Sequence, residues 1–189
     1  MILTATQVTQ YATISASAAT IAASGLIEAV QETIPMMINN YFTLALDVQG
    51  TVTFNATARS ILSDNSFVER GFVAGYDIYI YNSYLNDGYF TIESISDKTI
   101  VLASGQSVID ELSGRSVLIS MVQWPLPIKR MAAKMIAYDY DYRDKNSKNI
   151  KSHSLGPFSE SYTSGDEDDF GYPRKITDVA IPYRVVRLM

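Results

Sequence analysis

The sequence predicts an α+β fold: a small helical core of two main helices plus short terminal helices, an inserted all-β subdomain shaped as a small barrel or sandwich, and an extended C-terminal arm. Three observations carry this. Apolar residues recur every three to four positions from Ile14 to Tyr41 and again from Ile128 to Ile136, with Tyr138 or Asp139 next in the same spacing, the period of a helix with one buried face. Between them, β-branched and aromatic residues stand in short alternating runs divided by turn formers, the pattern of strands with one buried side. From Lys151 to Met189 turn formers alternate with aromatics and no helical stripe develops, so this stretch reads as one that docks onto another surface. The expected divisions are 1–42 for the N-terminal helices of the core, 43–122 for the β subdomain, 123–144 for a core helix, and 145–189 for a loop and C-terminal docking arm.

In chain order, Leu3, Val8 and Tyr11 fit one or two helical turns after a Thr cap. The longer stripe follows through Ile14, Ala18, Ile21, Gly25, Leu26, Val30, Ile34, Ile38 and Tyr41, with Ser15 or Ser17 as its N-cap. Pro35 removes a backbone donor and crowds the carbonyl four residues earlier, which predicts a kink or restart near Gln31 to Thr33. The polar face of this helix lacks Lys and Arg, so it reads as a core helix and not as one lying on a membrane. In the β region Leu44, Leu46 and Val48 alternate, as do Val52 and Phe54, and Gly75 and Asp77 lead into Ile78 and Ile80. Asn86-Asp87-Gly88 supplies residues that tolerate positive φ and predicts a tight hairpin. Tyr89–Ile95, Thr99–Leu102 and Ser116–Val122 are the remaining strands. Trp124-Pro125-Leu126-Pro127 ends the sheet, because a proline biases its predecessor away from helix. The next helix buries Ile128, Met131, Ala132, Met135 and Ile136 and exposes Lys129, Arg130 and Lys134. Tyr138 to Asp144 reads as its solvated end, and Lys145 to His153 as a solvated loop.

The 189 residues include 47% hydrophobic and 19% charged, the balance of a folded globular chain. The apolar runs are too short to cross a bilayer. No Lys or Arg precedes Arg59, so a secretory signal would lack its positive region and export is not expected. The absence of Cys excludes a disulfide scaffold and thiolate metal sites, and a single His, His153, cannot populate a His-based metal site. No phosphate-cradling loop, nucleophile elbow or zinc-protease helix occurs. Asp64, Asp87, Asp97, Asp110 and Glu111 stand at turn positions, where capping explains them. The expectation is therefore a non-enzyme without metal or cofactor. A net charge of −5 argues against nucleic acid as an affinity ligand, though not against DNA passing by an acidic wall.

Two stretches carry a family likeness. Ser154, Gly156, Ser159, Ser161 and Tyr162, an acidic spacer, then Gly171, Tyr172, Pro173 and Ile176, and a closing Pro182-Tyr183-Arg184 resemble the C-terminal region of tailed-bacteriophage head-to-tail connector proteins, the adaptor class beneath the portal. The run from Phe72 to Ile95, with Gly75, Asp77, Ile78, Ile80, Asn86-Asp87-Gly88 and Ile92 in order, is similar to a small β module inserted in phage structural proteins. The resemblance implies a virion protein made in the host cytoplasm and resident in the neck. It implies a ring, twelvefold like the portal, touching the portal on one side and a stopper or tail-completion protein on the other. Genomic DNA would pass through the channel without sequence-specific binding, and no membrane is involved.

For portal docking, the C-terminal segment offers Tyr172, Pro173, Ile176, Ile181, Tyr183 and Val185 as apolar anchors, with Arg184 and Arg187 for acidic groups. Tyr79, Tyr81, Tyr84 and Tyr89 crowd a module too small to bury them all, which makes them a candidate subunit interface. Two rival functions fit the same residues. One is a head-completion stopper or tail-terminator subunit, a class dominated by β structure. The other is a carbohydrate-binding module that stacks sugars on the exposed tyrosines.

Overall fold

The computed structural model of the chain describes residues 1–112, 116–143, 152–155, 158–161 and 168–185, with backbone alone for 142–143, 152–155 and 158–161. It is a mixed helix and sheet structure in two units, one formed by Tyr41–Trp124 with Met1 and the other by 2–40 with 125–189.

The first unit closes as a barrel because six strands each turn an apolar row inward. They are β1 (Thr43–Asn55), β2 (Ser60–Ser63), β3 (Asp77–Tyr81), β4 (Gly88–Ile95), β5 (Thr99–Leu102) and β6 (Ser116–Val122). The hydrogen-bonded order is β1-β2-β5-β4-β3-β6 and back to β1, every pair antiparallel. Val52 and Phe54, Ile61, Ile78 and Ile80, Ile92, Ile100 and Leu102, and Val117 and Ile119 fill the interior. Phe67 and Phe72 plug it from the β2–β3 connection, their rings edge-on at 5.4 Å. β1 belongs to both halves of the wall, pairing with β6 as far as Thr51 and with β2 from Val52 onward. Gly50 stands beside this handover, where a Cβ would lie 2.7 Å from the Asn65 amide nitrogen. That amide donates to the Gln49 carbonyl at 3.0 Å and ties the β2–β3 connection to β1.

The β3–β4 connection differs from the tight hairpin expected at Asn86-Asp87-Gly88. It is a six-residue loop, 82–87. Asp87 accepts hydrogen bonds from the Ser83 amide at 2.7 Å and hydroxyl at 2.9 Å, which closes the loop on itself. The left-handed conformation is taken by Asn82, at φ 71°, and not by the Asn-Asp pair. The strand Ser60–Ser63 is an addition to the sequence reading; of its two buried side chains, Ile61 and Ser63, only one is apolar, too little to mark a period.

In the second unit α1 (Ala5–Tyr11) begins with a reciprocal cap. Gln7 N–H donates to Thr4 Oγ1 at 3.2 Å and Thr4 N–H to Gln7 Oε1 at 2.9 Å. The single long helix expected from Ile14 to Tyr41 is two, α2 (Ala18–Ala23), capped by Ser17, and α3 (Leu26–Ile38). The break falls at Gly25, φ 71°, and not before Pro35, which lies buried inside α3. Ser24 explains the position: its hydroxyl donates to the Ile21 carbonyl at 2.7 Å and ends α2, and glycine then adopts the left-handed turn at little cost. Gln31 of α3 is buried and accepts the Ile2 amide at 2.6 Å, fixing the start of the chain to this helix.

α4 (Leu126–Tyr138) starts after Pro125 with Pro127 in its first turn, where a missing N–H costs nothing. It packs against α1, α3 and the C-terminal elements, α5 (Arg174–Thr177) and a 3-10 helix, Asp178–Tyr183. A π turn, Asp139–Arg143, extends it. This end is not merely solvated as expected: Tyr172 donates its hydroxyl to Asp139 at 2.7 Å, and Asp141 accepts from the Ser15 amide at 3.2 Å.

The C-terminal stretch also departs from expectation. Its backbone forms a two-stranded hairpin, β7 (Ser152–Leu155) with β8 (Phe158–Ser161), and residues 168–185 fold onto their own helices instead of extending as an arm. The cause lies at the end of α3. Asn39 and Asn40 donate side-chain amides to the Val185 and Tyr183 carbonyls at 3.1 and 2.9 Å, and the Val185 amide donates to the Ile38 carbonyl at 3.0 Å. Gly156, Tyr162 and Arg187 lie outside the described residues, as do most of the expected loop from Lys145 and the first half of the acidic run, Asp166 and Glu167.

Candidate interaction surface

Along β3 the side chains alternate, so Ile78 and Ile80 enter the barrel while Asp77, Tyr79 and Tyr81 stand on its outer face. The register sets Thr91 beside Asp77 and Tyr89 beside Tyr79 on β4. Tyr79 stacks on Tyr41 and Tyr89 with ring centroids 4.7 and 4.8 Å away, Tyr89 reaches Trp124 at 5.2 Å, and Trp124 reaches Phe42 at 5.1 Å. This chain of five rings roofs Asp77, which is 8% exposed. The Asp77 carboxylate accepts from Thr91 Oγ1 at 2.7 Å, from Trp124 Nε1 at 3.1 Å and from the Met1 amino group. Sequence reasoning missed this site, because its only signal was an acid inside a strand of isoleucines, and such an acid must be paired if it is covered.

The four interface tyrosines therefore divide. Tyr79 and Tyr89 are half-buried members of the roof, whereas Tyr81 and Tyr84 are 57% and 67% exposed. Burial raises the Tyr79 phenol to about 12, with Tyr41, Asp87 and Tyr81 adding to it. Tyr89 is raised too, first by burial and then by Tyr79, Tyr41 and Asp77. The sign of the linkage follows. Unfolded tyrosine loses its proton near 10 while the folded groups keep theirs, so the folded state binds more protons and is destabilised as pH rises. We expect barrel stability to be complete below pH about 10 and to fall between about 10 and 12; a phenolate absorbance titration alongside chemical denaturation checks both halves of the statement.

At the loop end, Asn86 is buried and organises the backbone. Its side chain accepts from the Ile109 amide at 2.7 Å and donates to the Ile109 carbonyl at 3.0 Å and to Glu111 at 2.9 Å. Glu111 in turn accepts the Tyr84 and Leu85 amides at 2.9 and 3.3 Å, and its backbone pairs with Phe54 of β1 in both directions. The result is a fixed platform from which Tyr84, Leu85, Ile109 and Leu112 project as exposed apolar side chains. Only Tyr84 of these was singled out from the sequence. Ile109 and Leu112 had no period to mark them.

The C-terminal candidates divide as well. Tyr172 is 3% exposed and engaged with Asp139 and the Tyr138 ring, so it is a core residue of its own chain and not a docking anchor. Pro173, Ile176 and Tyr183 are half-buried, and Ile181, Arg184 and Val185 are exposed. A groove of about 240 Å³ lies between α4 and the C-terminal helices, with Leu126, Met131, Ile176 and Val179 along its floor and Arg130, Lys134 and Lys175 on its rim.

No known protein family matches the chain, and no curated protein matches it. Among the described residues no three His, Asp or Glu side chains gather to hold a metal ion, and no helix is long and apolar enough to cross a membrane. Trp124 is buried under its neighbours, whereas Tyr41, Tyr76, Tyr81 and Tyr84 are exposed rings a sugar could stack on. What the surface offers chemically is apolar contact on rigid supports.

Proposed function

We propose that this chain is a structural virion subunit of a tailed bacteriophage: a head-to-tail adaptor that forms a ring below the portal and joins capsid to tail around the DNA channel. In this reading the helical unit is the subunit core, the barrel is its insertion, and the C-terminal segment meets the portal. Twelve copies would match the portal, with a stopper or tail-completion protein below and the genome passing without base-specific contacts. The observation that carries the reading is the fixed platform at the barrel's loop end. Leu85, Ile109 and Leu112 stand exposed on a backbone held by buried Asn86 and by Glu111, and such large apolar side chains on a rigid support suit an interface between proteins. The substantial helical unit supports the adaptor over the β-dominated stopper and tail-terminator classes.

The portal contact falls to Ile181, Arg184 and Val185, which remain exposed where the segment folds back. Deleting the whole segment would remove Thr177 and Ala180, which are buried against the rest of the chain, so point substitutions are the cleaner test. Ile181→Asp with Val185→Asp is expected to leave the circular dichroism spectrum unchanged and to abolish co-sedimentation with portal rings. Undiminished co-sedimentation would refute the docking role.

A further inference from the structure

α3 and α4 each expose one straight row of side chains. On α3 the row is Glu28, Glu32 and Met36; on α4 it is Leu126, Arg130 and Lys134. Members of each row are four residues apart, one turn up the same helix face, so neighbours stand about 5–6 Å apart in both. Run antiparallel, the two rows match at every step: Glu28 meets Lys134, Glu32 meets Arg130, and Met36 meets Leu126. Run parallel, Glu28 would face Leu126 and Met36 would face Lys134.

None of the four charged groups forms an ion pair among the described residues, where the ion pairs are Met1 with Asp77 and Arg59 with Glu93. α3 carries two acids and no base, whereas the groove beside α4 is rimmed by Arg130, Lys134 and Lys175. Met36 is 64% exposed, and Leu126 and Val179 open an apolar floor beside the cations. We infer that a second copy of this chain docks the Glu28-Glu32-Met36 row of its α3, antiparallel, on the Lys134-Arg130-Leu126 row and the apolar groove of α4. The inference rests on the ring reading and names the faces that would make the ring.

The contact joins two different surfaces, so each copy keeps one of each free for the next. Such head-to-tail contacts close into a ring when the rotation between copies allows it. Apolar contact of Met36 in the groove supplies attraction, and the two ion pairs fix register and direction. DNA would not fit the same role, because three cations over an apolar floor neutralise few phosphates. A membrane is a poor fit for the same reason.

Reversing the charges tests this directly. Glu28→Lys with Glu32→Lys, and separately Arg130→Glu with Lys134→Glu, replace exposed side chains that form no ion pair among the described residues, so both proteins should fold as the parent does. Each alone is expected to lose self-association at least about 100-fold by sedimentation velocity, since two like-charge pairs now face each other. An equimolar mixture should assemble again, because every junction in an alternating assembly then pairs opposite charges. As the chain has no Cys, mixing Met36→Cys and Leu126→Cys chains under oxidation should give a covalent heterodimer in preference to either homodimer. The inference is overturned if a charge-reversed protein associates like the parent, if the mixture associates no better than its components, or if the parent stays monomeric up to its solubility limit. Parent rings that survive both reversals would sink this interface and leave the adaptor reading standing. Failure of the parent to join portal rings would sink the adaptor reading, whatever the reversals do.

Discussion

Phe54→Ala is expected to destabilise the barrel by about 3–5 kcal/mol, a large share of the ~5–15 kcal/mol that holds a domain folded. The side chain is 2% exposed. It lies on β1 where that strand has passed from β6 to β2, and its backbone exchanges hydrogen bonds with Glu111 at 2.8 and 3.2 Å. Truncation would open a cavity beside the strand that both halves of the wall share, and a closed barrel has little freedom to collapse around it. Urea denaturation followed by far-ultraviolet circular dichroism measures the loss. Leu62→Ala is the control: one residue along from Ile61 on β2 and 50% exposed, it should shift the midpoint by less than about 0.5 kcal/mol. Equal effects at the two positions would mean that the barrel interior is not the source of stability.

Asp77→Ala carries the second large expectation, a loss of about 3 kcal/mol. Its carboxylate is the acceptor for the Thr91 hydroxyl, the Trp124 indole and the Met1 amino group, and removing it leaves donors covered by rings with nothing to bond. The amino group is partly exposed and water can compensate it, so the indole and the hydroxyl account for most of the loss. Asp77→Asn keeps an acceptor for the indole and should lose less than half as much. Trp124 is the only tryptophan, so its emission reports the site without ambiguity. A red shift in the Ala protein at low denaturant, absent in the Asn protein, is the expected result; identical spectra would show that the roof holds Trp124 without the carboxylate.

Much of the β architecture was legible because alternation is a strong signal when one face is dry. Thr99–Leu102 and Ser116–Val122 have the bounds their residues announce, and a small barrel or sandwich resolves to a closed barrel of six strands. The helical period also locates α4, whose small residues Ala132 and Ala133 are buried as a close helix packing requires. The failures share one cause. Periodicity reports which side chains are apolar, but not which polar group finds a partner far along the chain. Ser24 and Gly25 end a helix that the apolar stripe carries straight through. Tyr172 looked like an anchor for another protein because its partner, Asp139, lies 33 residues earlier. Asp77 drew no notice at the head of its strand because its partners come from Met1, β4 and Trp124. Asn39 and Asn40 gave no warning that they would receive the C-terminal segment.

The barrel's point of entry and its point of exit are neighbours. Thr43 is in register with Val122, and the Gln123 amide donates to the Phe42 carbonyl at 3.0 Å. Residues 41–124 therefore behave as a cassette: a peptide of a few residues could bridge the gap left by its removal, and a foreign domain with adjacent termini could be spliced in its stead. Lineages that carry such a chain are free to exchange the module wholesale, remodelling one surface while inheriting the other unchanged.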